Sequence, residues 1–238
     1  MTSKAQEDHS HAAGAAHGSH TAEGEDRPWF LAHHFDTIGQ QMSAAKLGMW
    51  LFACTEVLMF SGLFLAYFIA RWLHPEMVLV ASEQLNKTAG GANTIVLLTS
   101  SFTMALGVRA AQTNNQKALE RNLLITIGCA ILFLVVKYFE YSTKIEHGLL
   151  PGEWYAAAQH GIALPKYSRM FYGIYFTMTG LHGVHVIVGI GVLSWIYIRA
   201  RRREFSSRNY VAVENAGIYW HIVDIVWIFL FPLLYLVK

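Results

Sequence analysis

Five long apolar blocks constrain the fold of this 238-residue chain more than any other feature of its sequence. Each block reaches the roughly 20 residues that an α-helix needs to cross the hydrocarbon core of a bilayer. None alternates polar and apolar residues, as the strands of a membrane barrel would. Because backbone polar groups in lipid must be paired internally, the sequence predicts an all-α membrane protein, a bundle of five transmembrane helices within residues 46–238. The predicted spans are about 47–70, 92–112, 122–142, 170–198 and 213–237.

The composition agrees with a membrane protein and excludes several other classes. Only 14% of the residues are charged, whereas soluble domains carry about 25%. The net charge of +2 predicts no nucleic-acid partner. The two cysteines, Cys54 and Cys129, lie inside apolar blocks, so a disulfide framework and a cysteine zinc site are both excluded.

Residues 1–45 form a polar segment that is rich in Ala, Gly and His. This segment has neither the apolar stretch of a signal peptide nor the acid-poor composition of a transit peptide. A His-rich tract can bind metal. Its composition nevertheless favours a disordered cytoplasmic tail, which is the prediction for residues 1–45.

The distribution of Lys and Arg predicts the orientation of the bundle. The loop after the fourth block carries five arginines, Arg199, Arg201, Arg202, Arg203 and Arg208. The positive-inside rule therefore places this loop and the N-terminus in the cytoplasm, and the C-terminus outside. The long connection 143–169 then lies outside, where it could serve as a docking surface.

Glu56 is the clearest ionisable residue within a predicted span. Inserting such a group at the centre of a membrane helix costs a free energy of roughly 2.5–3.5 kcal/mol, so its presence indicates a functional or structural role. Glu56 follows Lys46 by ten residues, about 15 Å along a helix, which places it near the bilayer midplane. Two interpretations stay open: a carboxyl that handles protons or faces lipid headgroups, and a protonated glutamate hydrogen-bonded to a neighbouring helix.

Lys137 and Glu140 form a second ionisable pair, near the outer end of the third predicted span. Residues three apart on a helix lie close enough for their side chains to meet. Long side chains near a helix end commonly extend toward the interface. The sequence therefore predicts an interfacial, snorkelling pair.

Histidines occur in the last two spans, where His182 and His185 are three residues apart, as are His221 and Asp224. Imidazoles on two helices can hold haem or a metal, so one alternative is a di-haem membrane cytochrome using His221 with His182 or His185. The loose spacing favours structural hydrogen bonding between helices, and no metal site is predicted. A small transporter using Glu56 and Glu140 is a further alternative. Gly183 is predicted to lie at a close helix contact.

Several motifs around these polar residues resemble one known family. They are the segment around Glu56, the sequence Lys137-Tyr-Phe-Glu140-Tyr, and the segments 171–189 and 219–227. The two last segments contain Thr-Gly-Leu-His-Gly-Val-His and Tyr-Trp-His-Ile-Val-Asp-Ile-Val-Trp. Over about residues 44–238 the chain resembles subunit III of the haem–copper oxidases, specifically the cytochrome c oxidase type.

The resemblance implies a non-redox accessory subunit of a terminal oxidase that couples oxygen reduction to proton pumping. It implies no catalytic residue and no cofactor in this chain, with haem and copper in partner subunits. The implied partners are oxidase subunits I and II, membrane phospholipids and a larger respiratory supercomplex. The two leading helices of seven-helix members are absent, and the five-helix form implies a bacterial plasma membrane. Within the family, a quinol oxidase subunit and a nitric oxide reductase accessory protein are alternatives.

The resemblance also implies roles for individual residues. Glu56 would be the membrane carboxyl of the family, related to protons or lipid. Lys46 and the arginines 201–203 would meet anionic headgroups on the cytoplasmic side. The remaining residues would have structural or lipid-related roles: Lys137, Glu140, His182, His185, His221 and Asp224.

Overall fold

A computed structural model describes residues 31–150, 165 and 167–237. Within these residues the secondary structure is six helices, and the only strand-like pairing is one isolated bridge between Ser206 and Asn209. The helices are α1 Ile38–Leu73, α2 Pro75–Glu83, α3 Lys87–Gln112, α4 Gln116–Glu146, α5 Ser168–Arg201 and α6 Val211–Tyr235.

Five of these helices, all except α2, are long and apolar enough to cross a membrane. The predicted all-α bundle with five spans is therefore confirmed. Helix α1 begins at Ile38, so the prediction of disorder is wrong for residues 38–45, and residues 1–30 lie outside the described part of the chain. Helix α4 continues to Glu146, inside the predicted connection 143–169. Residues 151–164 and 166 of that connection are likewise outside the described part.

The helix boundaries follow from local capping chemistry. The side chains of Thr37, Asn86 and Asn115 each accept a hydrogen bond from a backbone N–H three residues later, at the starts of α1, α3 and α4. Such caps satisfy N–H groups that have no partner within the helix. Pro75 starts α2 directly after α1, because proline fits the first helical turn but interrupts a continuing helix.

Helix α2 is the one element that the sequence did not predict. Its nine residues are too few to span a bilayer. Met77, Val78 and Ala81 on one face are buried, and the helix packs chiefly on α5. The connection after the first span is therefore a folded cap on one end of the bundle.

Four helices form the packed centre of the bundle. Helix α3 packs on α4 and α6, and α5 closes the ring by packing on the same two helices. The aromatic side chains of Trp220 and Trp227 on α6 are fully buried in this centre. Helix α1 lies outside the ring, against α5 and α6, and many of its large apolar side chains are exposed.

The basic connections meet at one end of the bundle. Asn114, in the turn between α3 and α4, receives a hydrogen bond from the backbone N–H of Ser207, 2.6 Å away, in the loop between α5 and α6. The side chain of Asn215, on α6, donates to the carbonyl of Ala45 on α1. The start of α1 therefore shares an end with the arginine-rich loop. Which face of the membrane this end occupies remains a prediction.

No close helix contact at Gly183 is found within the described part of this chain, and impaired association of Gly183→Leu stays a prediction. A Cβ atom at Gly183 would meet no atom within 4 Å. A close approach within the chain occurs six residues later, where a Cβ at Gly189 would lie 2.6 Å from Cζ3 of Trp220. The helix rotation that brings α5 onto α6 determines which glycine is covered, and the spacing of glycines alone does not reveal it.

Candidate functional site: ionisable groups inside the bundle

Glu140 on α4 is the centre of a buried cluster of charged and phenolic groups. Its Oε2 accepts a 2.9 Å hydrogen bond from Nζ of Lys137. Its Oε1 accepts from the hydroxyls of Tyr235, at 2.6 Å, and Tyr175, at 3.1 Å. Nζ of Lys144 lies 3.4 Å from the same Oε1. One carboxylate therefore connects three helices, α4, α5 and α6.

Lys137 is held by further contacts with aromatic groups. Its ammonium donates a 2.7 Å hydrogen bond to the hydroxyl of Tyr235 and lies 4.4 Å from the ring centroid of Trp227. A cation over the face of an aromatic ring is attracted by the ring quadrupole, and the attraction strengthens when both groups are desolvated. The ammonium of Lys137 therefore has a carboxylate, a hydroxyl and an aromatic ring as partners.

The prediction of a snorkelling pair is wrong. Lys137 and Glu140 are each only 8% exposed and Lys144 only 4%. The side chains turn toward α5 and α6 because two tyrosines and a tryptophan there offer hydrogen bonds and a ring face. Charges can stay buried when they are paired and hydrogen-bonded.

Lys144 was missed as a member of this cluster, although the sequence carries a signal for it. Lys137, Glu140 and Lys144 follow one another at spacings of three and four residues, which places them on one face of a helix. The predicted span ended at residue 142, so Lys144 was assigned to a loop. Because α4 extends to Glu146, Lys144 lies on the helix, on the same face as Glu140.

Glu56 and His185 form a second ionisable contact, which joins α1 to α5. Oε2 of Glu56 lies 2.8 Å from Nε2 of His185. The other ring nitrogen, Nδ1, lies 2.8 Å from the carbonyl oxygen of Leu181. The ring of Phe60 lies against the imidazole with centroids 5.4 Å apart. Both side chains are mostly buried, so this contact holds α1 against the ring of helices.

Glu56 and His185 lie close enough to share a proton. A carbonyl oxygen only accepts hydrogen bonds, so Nδ1 carries the hydrogen directed at Leu181. Nε2 and Oε2 are 2.8 Å apart, although Oε2 accepts no hydrogen bond within the described residues, and one more proton can lie between the two atoms. This proton sits on the imidazole, giving an ion pair, or on the carboxyl, giving a neutral hydrogen bond.

Replacing Glu56 by glutamine is expected to leave α1 attached to the bundle. The amide can donate to Nε2 of a neutral His185, which keeps the two side chains in contact without a shared proton. Leucine cannot, and its substitution should remove roughly 1 kcal/mol of interhelical stabilisation. Thermal denaturation of the solubilised protein should place Glu56→Gln near the wild type and Glu56→Leu below it. Equal melting temperatures for Glu56→Leu and the wild type would show that the contact is not stabilising.

The remaining histidines and Asp224 have separate environments. His182, 1% exposed, stacks on Trp227 with ring centroids 5.3 Å apart. Nδ1 of His221 lies 2.7 Å from Oγ of Ser101, which joins α6 to α3. Asp224 is 2% exposed, beside Ser101. His221 thus joins two helices, whereas the ring nitrogens of His182 and the carboxylate oxygens of Asp224 are buried without a hydrogen-bond partner in the described part of the chain.

The imidazoles considered for haem or metal are not brought together on one site. His185 contacts Glu56, whereas His221 contacts Ser101. Across the described ranges, no group of three or more His, Cys, Asp and Glu side chains could hold a metal ion. Among the described residues, the interhelical hydrogen bonding predicted for these histidines is found for His221 and not for His182.

The basic end of the bundle contains the residues considered for lipid contact. Nζ of Lys46 forms a 2.9 Å ion pair with Glu214 of α6. The arginines 201–203 are exposed at the end of α5. Lys46 therefore has a protein partner, whereas the three guanidinium groups are accessible to headgroups.

Comparison with known proteins identifies the family. The model of the family "Cytochrome c oxidase subunit III" matches residues 29–238. The chain is 33% identical over 190 residues to cytochrome c oxidase subunit 3 of Synechocystis sp., covering 79% of this chain and 74% of that protein. Its identity to the subunit of Thermostichus vulcanus is 31% over 191 residues, 80% of this chain and 86% of that protein.

A third relative extends the similarity beyond bacteria. The subunit 3 of Loxodonta africana is 32% identical over 216 residues, which are 87% of this chain and 73% of that protein. The matched region includes all five membrane-spanning helices and every ionisable residue described above. This chain is therefore a multi-pass membrane protein that belongs to the cytochrome c oxidase subunit III family.

Proposed function

We propose that the chain is the non-redox accessory subunit of a cytochrome c oxidase, in which it stabilises subunit I, structural lipid and proton uptake. The observation that carries this proposal is the family match across residues 29–238. Membership of an oxidase complex follows from the family. The separate environments of His182, His185 and His221 support a chain without redox centres of its own, with haem and copper in subunits I and II.

The surface of α1 supports association within the membrane. Trp50, Leu58, Leu65 and Trp72 are all at least 60% exposed. Such side chains on a spanning helix must meet lipid or the helices of a partner. Since α1 packs on only one side of the bundle, this face is available to subunit I and to the lipid between the subunits.

Glu56 is proposed to support proton uptake through its close contact with His185, with which it can share a proton. The pair lies within a predicted span and can exist in an ionic and a neutral form with little movement of heavy atoms. The exposed arginines 201–203 would bind anionic headgroups on the cytoplasmic side. The proposed location is a bacterial plasma membrane, with the basic end in the cytoplasm.

The test is the decay of activity during turnover. Oxidase purified with this chain should sustain oxygen consumption with reduced cytochrome c. Oxidase from cells that lack the chain should begin at a comparable rate per haem and then lose activity several-fold faster. Adding back the purified chain should restore the slow decay. Identical decay with and without the chain would contradict the proposed role.

A further inference from the structure

A cavity of ≈ 320 Å³ opens beside the Glu140 cluster, between the end of α4, the end of α2 and the start of α3. Its polar wall contains the side chains of Gln84, Asn86, Thr143 and His147, together with Lys144. Amide and imidazole groups beside an ammonium can donate hydrogen bonds, whereas the hydroxyl of Thr143 already donates to the carbonyl of Phe139 and remains an acceptor. The wall is therefore suited to a ligand that accepts several hydrogen bonds.

The charges around the cavity do not balance. Two ammonium groups, Lys137 and Lys144, face one carboxylate, Glu140. Glu140 already accepts close hydrogen bonds from Lys137, Tyr235 and Tyr175. A net positive charge of one remains among these three ionised side chains, at a place shielded from water.

Lys144 is the less satisfied of the two ammonium groups. Lys137 has hydrogen bonds to Glu140 and Tyr235, whereas the nearest carboxylate oxygen to Lys144 is 3.4 Å away. Lys144 is 4% exposed and lines the cavity. A buried ammonium group carries a desolvation penalty of several kcal/mol unless partners compensate it. An anion in the cavity would provide that compensation.

The other wall of the cavity is apolar and continues onto the outside of α4. Val136 and Phe139 line the cavity. Phe139 is 65% exposed and Val135, beside it on the outside of the helix, is 45% exposed. A ligand with an anionic head in the cavity can therefore extend an apolar chain along α4. This combination distinguishes an amphiphile from a free inorganic anion.

We propose that this cavity binds the phosphate-bearing headgroup of an acidic phospholipid, with Lys144 as the anchoring cation and the acyl chains along α4. Acidic lipids fit better than zwitterionic ones because the latter bring their own cation to a site with excess positive charge. The cavity lies at the end of the bundle opposite the arginines 201–203. The site is thus separate from the cytoplasmic headgroup contacts, and it rests on the lipid-binding part of the proposed function.

Photoreactive phosphatidylglycerol tests this proposal on the assembled complex, with the matching phosphatidylcholine analogue as the neutral probe. The complexes would carry wild-type chain, Lys144→Gln, Lys144→Arg or Lys87→Gln. Lys87 is exposed at the start of α3, at the same end of the bundle, and does not line the cavity. Its substitution removes the same charge and serves as the matched control. Labelled peptides of this chain are quantified by mass spectrometry.

Phosphatidylglycerol should label the outer part of α4 in the wild type more strongly than phosphatidylcholine. Lys144→Gln should lower this labelling at least about tenfold, the factor that corresponds to 1.4 kcal/mol. Lys144→Arg should retain most of it, and Lys87→Gln should match the wild type. Excess inorganic phosphate should not compete.

Three results would overturn the proposal. Equal labelling of wild type and Lys144→Gln would remove Lys144 as the anchor. Equal labelling by the two wild-type probes would remove the preference for an acidic lipid, and this comparison needs no variant to fold. Competition by inorganic phosphate would identify a free-anion site. None of these readouts depends on oxygen consumption, so their failure is distinguishable from failure of the proposed oxidase role.

Discussion

Replacing Glu140 by glutamine is expected to lower the free energy of unfolding of the bundle by about 3–5 kcal/mol. Removing one partner of a buried ion pair leaves an uncompensated charge, and losses of this size are typical. Here the substitution leaves both Lys137 and Lys144 without a carboxylate. Reversible unfolding of the solubilised chain in mixed detergent micelles measures the effect.

Two further variants separate the buried charge from other effects of the substitution. Glu146→Gln removes the same charge from an exposed position two residues after Lys144 and should change stability by less than about 0.5 kcal/mol. Adding Lys137→Met to Glu140→Gln should recover part of the lost stability. Replacing both partners of a buried ion pair by uncharged groups costs less than removing one partner and leaving the other charge unpaired. A single Glu140→Gln variant as stable as wild type would contradict the account of the cluster.

Replacing Gly189 by alanine is expected to destabilise the contact between α5 and α6 by about 1–3 kcal/mol, the usual range for overpacking. The new Cβ would lie 2.6 Å from Cζ3 and 2.9 Å from Cε3 of Trp220. Trp220 is fully buried, and its indole N–H donates a 2.9 Å hydrogen bond to Ser100. The ring therefore cannot move aside without losing that bond. Thermal unfolding of the solubilised chain reports the change.

Gly191→Ala is the matched control on the same helix. A Cβ at Gly191 would meet no atom within 4 Å, and alanine is favoured over glycine in a helix by up to about 1 kcal/mol. The same substitution two residues apart should therefore have opposite signs. A stabilised Gly189→Ala variant would show that α5 does not approach Trp220 as closely as described.

The helical bundle could be predicted from sequence because the need to pair backbone polar groups in lipid applies to every long apolar segment. About 20 apolar residues must pair their own backbone groups, and helices do this without any partner. The five spans follow directly. Helix α2 could not be predicted in this way. Its nine residues, with Met77, Val78 and Ala81 on the buried face, do not form a long apolar stretch.

The inward orientation of Lys137 and Glu140 could not be predicted in the same way. Lipid and the bundle interior are both apolar, so the residues around a spanning helix do not reveal which face packs on other helices. The cluster depends on Tyr175 and Tyr235, which come from α5 and α6. Only the packing of three helices brings those hydroxyls to Glu140.

The sequence predicts that Glu56 has a partner on another helix, but it does not predict that this partner is His185. A carboxyl near the middle of a span predicts some hydrogen-bonding partner on another helix. The choice of His185 over His182 depends on the rotation of α5. The rotation turns His185 toward α1 and His182 toward Trp227.

Purification of the tagged chain from native membranes tests the central claim most directly. The chain would be extracted in a mild detergent, and the visible spectrum and the co-purifying proteins would be recorded together. An accessory oxidase subunit should bring haem and two larger redox subunits with it, and should become colourless when those subunits are stripped away. Haem that stays with the stripped chain, or a chain that carries neither haem nor those partners, would contradict the account.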